Sequence, residues 1–287
     1  MQVRVAALQQ GPAYGASSEV LEKCVALLRS AVEAEKPDLA VFSELMTSVY
    51  FGTVKDDKYF DRAEPVDGPT VNTFIKEARD LGVHVVPTFF ERDGANFYNS
   101  AAVISPTKGL LGVYRKVHMP MIDSADFFVD EKYYFERFGG GGKEFKVFTL
   151  DNGVRFGLLI CYDRTFPEAW RSLALQGAQV VGVPVCTWGF RKEAFVIELR
   201  TRAMENGFYV VAANRAGEEQ VEGEKTPRQH FGLSVICSPT GDVVAQAESE
   251  PWSFVAADLD LSKVEFQRSR INWPRDRRPE AYGFTTR

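Results

Sequence analysis

The sequence predicts a single α/β domain in which two stacked sheets are faced by helices. Short runs rich in β-branched residues alternate with segments whose apolar residues recur at helical spacing. This alternation runs through the first half of the 287 residues and then repeats. No low-complexity tract, linker or internal sequence repeat separates the two halves. Two similar halves joined directly favour one domain of packed layers.

In the first half, hydrophobic periodicity distinguishes the helices from the strands. The first helix carries its apolar residues on one face, at positions 20, 21, 24, 27, 28 and 32. A turn that contains proline and glycine and lies between two apolar runs predicts a hairpin. The predicted elements are strands over 3–8, 38–42 and 83–90, helices over 17–34 and 70–81, and a hairpin that joins 98–104 to 110–114.

The second half repeats the pattern. A turn of Asp, Asn and Gly predicts another hairpin, and Pro167 is a good first residue for the helix that follows. The predicted elements are a hairpin of 145–150 with 154–160, helices from Pro167 and over 192–206, strands over 179–183 and 208–213, a paired 231–237 and 243–247, and a last strand over 254–259.

Composition excludes several classes of protein. Hydrophobic residues make up 45% and charged residues 25%, as in an ordinary globular protein. The formal net charge of -5 gives no positive field for nucleic acid or an acidic membrane surface. The apolar stretch at 180–190 is too short to span a bilayer, and the N-terminus lacks the apolar core of a signal peptide. We expect a cytoplasmic protein that binds neither nucleic acid nor membranes.

Metal, phosphate and serine chemistry are not predicted. The four cysteines lie far apart, and the three histidines form no metal-binding motif. The glycine run at 139–142 is followed by Lys143, but Glu144 stands where a phosphate loop needs Ser or Thr. No Gly-x-Ser-x-Gly motif occurs. We therefore predict no metal and no cofactor, and interpret the glycine run as a flexible loop.

Cysteine chemistry remains, and Cys161 is the candidate. It ends an apolar strand and precedes a turn that leads to Pro167 and a helix. Such a junction exposes a side chain at the carboxyl edge of a sheet and places backbone N–H groups beside it. A buried structural cysteine is the competing interpretation, and it is favoured for Cys24, Cys186 and Cys237.

A thiol nucleophile needs a base or a cation beside it, because it is mostly protonated at neutral pH. Glu44 directly follows a buried apolar run and so lies at the carboxyl end of a strand. A carboxylate there is either a helix cap or a base tuned by burial. The segment that contains Lys116 and His118 indicates the lysine as much as the histidine. The residues alone leave these alternatives open.

Three segments, taken in order, resemble the nitrilase superfamily of carbon–nitrogen hydrolases. They are VFSEL at 41–45, YRKVHMP at 114–120 and ICYDRTFPE at 160–168. Weaker similarity extends from VAALQQ at 5–10 to RRPEAYG at 277–283. One departure is Ser43, where the family often has proline before the glutamate.

The resemblance implies an αββα sandwich over residues 1–270 and a catalytic triad of Glu44, Lys116 and Cys161. It places the family's second glutamate on Glu131. It also implies a mechanism without a cofactor, in which Cys161 forms a thioester and the backbone N–H of Tyr162 helps to stabilise the oxyanion. The family forms homodimers or homotetramers, so we expect the tail at 271–287 to pack on a neighbouring protomer.

The resemblance also bears on the substrate, a small molecule. Nitrilases usually have Cys-Trp-Glu, so Cys161-Tyr162-Asp163 disfavours nitriles. Arg164 is similar to the arginine of N-carbamoyl amino acid hydrolases, although Thr165 departs from the D-specific enzymes. We predict that Tyr162, Arg164 and His118 contact substrate, and that Arg164 binds a carboxylate unless it pairs with Asp163 or Glu168. The resemblance thus implies hydrolysis of an N-carbamoyl (ureido) amino acid or a related carbamoyl compound to an amine, CO2 and ammonia. The alternatives are an ω-amidase, a general aliphatic amidase, or a non-catalytic binding protein. The tail resembles that of N-carbamoylputrescine hydrolases. Their nucleophile motif, Cys-Trp-Asp-Gln, differs from the Cys-Tyr-Asp-Arg at 161–164 of this chain.

Overall fold

Two mixed sheets form the centre of the molecule in the computed structural model, which describes residues 1–124 and 127–286 and the side chains up to residue 283. The strands are β1 (Gln2–Gln9), β2 (Leu39–Val41), β3 (His84–Val86), β4 (Thr88–Asp93), β5 (Asn96–Ser105), β6 (Gly109–Arg115), β7 (Met121–Asp123), β8 (Phe128–Asp130), β9 (Val147–Thr149), β10 (Arg155–Leu158), β11 (Val180–Pro184), β12 (Tyr209–Ala213), β13 (Ala216–Glu219), β14 (Arg228–Phe231), β15 (Val235–Cys237), β16 (Val243–Gln246) and β17 (Ser253–Asp260).

Each sheet combines parallel and antiparallel pairs. The first has the order β17-β1-β2-β3-β5-β4, with β6 paired to β5, and its β1, β2 and β3 are parallel neighbours. The second has the order β16-β15-β12-β11-β10-β9, and its β10, β11 and β12 are parallel neighbours. The parallel strands therefore bring their carboxyl ends to one edge in each sheet.

Helices cover the outer face of each sheet, which completes the αββα sandwich. They are α1 (Ser17–Glu35), α2 (Pro69–Leu81), α3 (Lys132–Phe135), α4 (Pro167–Leu175), α5 (Lys192–Asn206), α6 (Ser262–Arg270) and α7 (Trp273–Asp276). The pair α1 and α2 contacts the first sheet, while α4 and α5 pack together and α5 contacts the second. The predicted fold class is confirmed by this arrangement of layers.

The side chains of β1 point alternately into two cores, one on each face of the first sheet. Val3, Val5 and Ala7 belong to the core that continues into the second sheet. Ala6 and Leu8 point the other way, into the core beneath α1 and α2. Successive side chains of a strand point to opposite faces, so a strand that is apolar at every position is buried on both.

Two predicted strands are each divided in the structure. The strand predicted over 83–90 ends before Pro87 and restarts as β4, because proline has no N–H for the strand ladder. The strand predicted over 231–237 is interrupted at Gly232 and Leu233, whose φ values are 65° and 58°. This left-handed pair turns the chain, so β14 joins β13 while β15 joins the second sheet.

Part of the C-terminal segment packs on its own chain. The guanidinium carbon of Arg171 on α4 lies 4.0 Å from the ring centroid of Trp273. The packing of residues 271–287 on a neighbouring protomer stays a prediction, and its last residue lies outside the described residues. None of the helices described here is long and apolar enough to cross a membrane.

Candidate active site

Three predicted residues follow the ends of three strands and meet at one edge of the sandwich. Glu44 follows β2, Lys116 follows β6, and Cys161 follows β10. The backbone N–H of Glu44 donates to the carbonyl of Val185, just beyond β11, at 3.4 Å. This bond ties the glutamate turn of the first sheet to the second sheet, which carries the cysteine.

Lys116 is the centre of a buried ionic cluster. Its Nζ lies 2.7 Å from Glu44 Oε1 and 2.8 and 2.7 Å from the two oxygens of Glu131. All three side chains are shielded from solvent. Burial alone would lower the pKa of Lys116, but the carboxylates of Glu131 and Glu44 hold it above its ordinary value. The lysine is therefore a fixed ammonium that holds both carboxylates.

Glu131 is held by more than the lysine. The hydroxyl of Tyr50 donates to its Oε1 at 2.6 Å, and its backbone N–H donates to the carbonyl of Pro120. Burial raises the pKa of Glu131 to about 7, with Glu44 adding to the rise and Lys116 opposing it. Since two buried carboxylates share one ammonium, the cluster has room for one extra proton.

Glu44 has one bonded and one free oxygen. Its Oε1 accepts from Lys116 and from Asn99 Nδ2, the latter at 2.8 Å. Its Oε2 is buried and accepts no hydrogen bond from residues 1–124 or 127–286. A buried acceptor without a donor is costly in an ordinary core and is typical of a site poised to take a proton. Its neighbour Asn99 also accepts the backbone N–H of Lys116 through its carbonyl.

The turns that carry the glutamate and the cysteine have the same kind of strain. Leu45 and Cys161 have φ values of 48° and 46°, in the left-handed region that side-chain-bearing residues seldom adopt. At the first turn, buried Arg215 donates to the carbonyls of Glu44 and Leu45 at 3.0 Å. At the second, Arg164 Nη1 donates to the carbonyl of Cys161 at 2.8 Å. A buried arginine thus stabilises each strained turn.

The carboxylate of Asp163 stabilises the turn that carries Cys161. Its carboxylate accepts the hydroxyl of Tyr114 at 2.7 Å and the backbone N–H of Ile160 at 3.0 Å. It also contacts both the backbone and the ring nitrogen of His118, each at 2.9 Å. These contacts fix the start of the turn, so the thiol of Cys161 has a defined direction.

The contact of His118 with substrate stays a prediction, and the structure shows its ring engaged by other side chains. Its ring nitrogen is engaged by Asp163, and its ring stacks on Phe166 with centroids 3.6 Å apart. It is not among the described residues that line the cavity at Cys161. The reason is that Asp163, two residues after the cysteine, draws the imidazole behind the turn.

The thiol itself is kept protonated by its surroundings. Burial raises the pKa of Cys161 to about 12, with Glu44 adding to the rise while Lys116 and Arg164 oppose it. A thiol with this pKa carries almost no thiolate at neutral pH, so it needs a base at the moment of attack. A carboxylate with a free buried oxygen fills that need chemically.

A narrow cavity of about 70 Å³ opens beside Cys161. Its walls are mainly aromatic and apolar, and the predicted residues Tyr162 and Arg164 both belong to them. Such a cavity suits a small molecule with an apolar stem. The remaining lining residues are Tyr50, Pro120, Ile122, Phe127, Val129, Cys186, Thr187, Trp188, Phe190 and Arg191.

Arg164 pairs with neither of the two carboxylates considered from the sequence. Its Nε donates to Glu198 Oε2 on α5 at 3.1 Å, rather than to Asp163 or Glu168. Arg191 Nη2 donates to the same oxygen at 3.1 Å. Sequence reasoning missed Arg191 and Glu198, because charged residues just before and within a helix also occur on many exposed helices.

The glycine run does more than form a flexible loop. The backbone N–H of Gly142 donates to the carbonyl of Lys116 at 2.7 Å. A Cβ at Gly142 would lie 1.9 Å from the carbonyl oxygen of Arg115, which is too close for any side chain. The run therefore packs against the strand end that presents the lysine, and only glycine fits there.

One group of side chains within the described part of the chain has donor atoms close enough for a metal: Cys186, Glu219 and His230, within 4.8 Å of one another. Glu219 is already engaged, since its Oε1 lies 2.7 Å from Arg215 Nη1 and also accepts the backbone N–H of Ala13. The arginine supplies the positive charge that a metal would supply. Through Arg215, Glu219 supports the turn that carries Glu44.

Comparison with known proteins places the chain in a family. A family model described as carbon–nitrogen hydrolase matches residues 4–269. The chain is 35% identical to an N-carbamoylputrescine amidase of Solanum lycopersicum, over 98% of this chain and 93% of that protein. It is 33% identical to a citrullinase of Francisella tularensis, over 83% of each protein.

Solved structures agree with this assignment. A carbon–nitrogen hydrolase from Helicobacter pylori G27 superimposes with a TM-score of 0.91 at 28% identity, over 100% of this chain and 99% of that one. The family model spans both sheets and all the strand ends that carry the buried cluster. The protein therefore belongs to the carbon–nitrogen hydrolases of the nitrilase superfamily and is an amidohydrolase.

Proposed function

We propose that the protein hydrolyses the carbamoyl group of a small ureido compound to an amine, CO2 and ammonia. The observation that carries the proposal is the free buried oxygen of Glu44 within a cluster that also holds Lys116, beside a protonated thiol. The relatives named N-carbamoylputrescine amidase and citrullinase support a carbamoyl substrate. The narrow cavity supports a small one.

The first chemical step is attack by sulfur. Glu44 takes the thiol proton on its free oxygen as Cys161 Sγ bonds to the carbonyl carbon. The carbonyl electron pair moves to oxygen, and the oxyanion is stabilised by the Lys116 ammonium and the backbone N–H of Tyr162. The burial of Lys116 beside Glu44 supports its part in this step.

The second part of the reaction uses the same carboxyl group. Protonated Glu44 returns its proton to the leaving nitrogen, and ammonia departs as the oxyanion collapses to a thioester. Water then gives a proton to Glu44 as it attacks the thioester carbon. Glu44 returns that proton to sulfur as the carbon–sulfur bond breaks, which restores the thiol. The released carbamic acid breaks down to CO2 and the amine. Glu131 positions Lys116 and the substrate nitrogen without bonding to carbon.

The alternatives from the sequence remain distinct proposals. An ω-amidase or aliphatic amidase would use the same steps on an amide whose carbonyl carbon carries a carbon substituent. The proposed steps involve only the carbonyl group and the leaving nitrogen, and not the other substituent on the carbonyl carbon. The non-catalytic binding protein is the one alternative that is not kept, because the chain belongs to the carbon–nitrogen hydrolases. The ureido substrate is favoured by the two relatives named N-carbamoylputrescine amidase and citrullinase.

We also propose a homodimer or homotetramer built on the α4–α5 face. Exposed apolar side chains on these two helices include Leu175, Ile197 and Met204. Exposed apolar side chains on neighbouring helices favour a protein interface there when they form one patch. A cytoplasmic location is supported by four free, buried cysteines, which suit a reducing compartment. Light scattering of Ile197→Glu against wild type tests the interface.

The reaction is tested by replacing the nucleophile. We expect Cys161→Ala to abolish ammonia release from ureido compounds while the protein stays folded, because the thiol faces a cavity. The matched control is Cys24→Ala, which removes a thiol from the core beneath α1. It should cost about 1 kcal/mol of stability and leave the rate unchanged. Comparable turnover in Cys161→Ala would overturn the mechanism.

A further inference from the structure

The wall of the cavity carries more positive than negative charge. Arg164 and Arg191 both line it, and both lie 3.1 Å from the same oxygen of Glu198. No aspartate or glutamate is among the described residues that line the cavity. Two guanidinium groups therefore share one carboxylate, which leaves a net positive charge at the wall.

Arg164 is committed to the fold. Its side chain is almost fully buried, with Nε on Glu198 and Nη1 on the carbonyl of Cys161. Binding a substrate through these nitrogens would release the strained turn that carries the nucleophile. Arg164 is therefore a positioning residue, and a different group must bind the far end of the substrate.

Arg191 is held more loosely and faces the opening. Its side chain is 26% exposed, and Nη2 donates to Glu198 at 3.1 Å and to Thr165 Oγ1 at 3.5 Å. It follows Phe190, a highly exposed residue at the rim of the cavity. A guanidinium can keep one edge on Glu198 and offer its other edge to a carboxylate.

The aromatic wall is poorly suited to a cationic substrate. Trp188 and Tyr50 could attract an ammonium group through their ring faces. The guanidinium of Arg228, however, already lies 5.0 Å from the Trp188 ring centroid and 5.8 Å from that of Tyr50. Arg228 is paired with Glu224 and lies 4.0 Å from Glu219, so its guanidinium is held at these rings. A cationic substrate would have to share the ring faces with it.

We propose that Arg191 binds a carboxylate of the substrate and makes the enzyme selective for ureido acids over ureido amines. The proposal rests on the carbamoyl hydrolysis proposed above and names its substrate class. The scissile carbonyl lies at Cys161, the methylene stem lies against Trp188 and Phe127, and the carboxylate pairs with Arg191. Glu198 keeps the guanidinium at the wall between turnovers.

Three ureas of matched length test this selectivity: 3-ureidopropionate, propylurea and 3-aminopropylurea. In wild type, we expect kcat/KM for the acid to exceed that for the neutral urea by roughly 10- to 100-fold, with the amine lowest. Arg191→Gln should bring the acid-to-neutral ratio close to one, and Arg191→Glu should invert the preference towards the amine. Lys192→Gln is the control, because it removes an exposed neighbouring cation that does not line the cavity.

Binding to the Cys161→Ala protein, measured by calorimetry, repeats the comparison without turnover. Preferential binding of the acid without hydrolysis in wild type would contradict the proposed function and support the role of Arg191. Equal losses of kcat/KM on all three ureas in Arg191→Gln would overturn the proposed role of Arg191. A wild-type preference for the amine would also overturn it. An unchanged acid-to-neutral ratio in Arg191→Gln would overturn it too.

Discussion

The two ends of the cavity are built in opposite ways. At the chemical end, Glu44, Lys116 and Glu131 are fully buried and bonded to one another. At the outer end, Phe190 is 67% exposed and Arg191 is held through a single nitrogen. The difference indicates where change is tolerated: a shift at the buried end alters the chemistry, whereas a shift at the outer end alters the choice of substrate.

The contrast extends to the chain segments that supply each end. The buried cluster comes from residues just after β2, β6 and β8, which the sheet and the β7–β8 hairpin hold in place. The outer wall includes Thr187, Trp188, Phe190 and Arg191, which lie in the segment just before α5. Loops on a rigid scaffold are the usual location of specificity.

The largest effect that the comparison predicts is at Glu44. Glu44→Gln keeps the shape of the side chain but cannot accept a proton, so we expect kcat to fall by at least about 10²-fold. KM should change little, because Glu44 does not line the outer cavity. Steady-state kinetics with Glu193→Gln, an exposed change on α5, provide the control. A near-normal kcat would break the assignment of the base.

A smaller loss is expected from Asn99, which touches the base without joining the chemistry. Asn99→Ala removes the Nδ2 bond to Glu44 Oε1 but keeps the backbone bond to Lys116. We expect kcat to fall about 5- to 10-fold with KM unchanged, the effect of one buried hydrogen bond.

Asn72→Ala on α2 is the matched control for Asn99, since it removes an exposed amide from the same fold. Thermal unfolding of both variants separates positioning from simple destabilisation. A rise in KM with unchanged kcat would show that Asn99 acts on binding, and the buried end would then be less specialised than we infer.

The sequence predicted the chemical end better than the outer end, for a physical reason. Glu44 and Cys161 each follow an apolar run, and that pattern places a polar side chain at a strand end. Glu131 came from family resemblance alone, because its loop gives no such pattern. Their catalytic roles stay predictions, although the structure brings Glu44 and Glu131 onto one lysine.

Other residues could not be predicted because their partners are distant in sequence. Arg215 supports a turn about 170 residues earlier, and Asn99 looks like any polar residue of a strand. Gly142 is required because any side chain there would place its Cβ 1.9 Å from the carbonyl oxygen of Arg115. Only the three-dimensional packing reveals such contacts. The break between β3 and β4 is different, because Pro87 is a signal for it in the sequence.

The last prediction concerns the charge state of the thiol at the chemical end. Because burial raises the pKa of Cys161 to about 12, the free enzyme should show no thiolate step in its ultraviolet absorbance between about pH 6 and pH 9. Subtracting the titration of Cys161→Ser removes the signal of the three other cysteines, which are also buried. A step near neutral pH would mean that Lys116 and Arg164 overcome burial and that the nucleophile is a preformed thiolate.

The same titration of Glu44→Gln separates the two mechanisms by sign. The Glu44 carboxylate is one of the groups that raise the pKa of Cys161, so removing its charge should lower that pKa and increase the thiolate at a given pH. If a preformed thiolate limited the rate, Glu44→Gln would then be faster than wild type. If Glu44 is the base, the variant holds more thiolate and still turns over at least about 10²-fold more slowly. A variant that gains both thiolate and rate would exclude Glu44 as the proton acceptor.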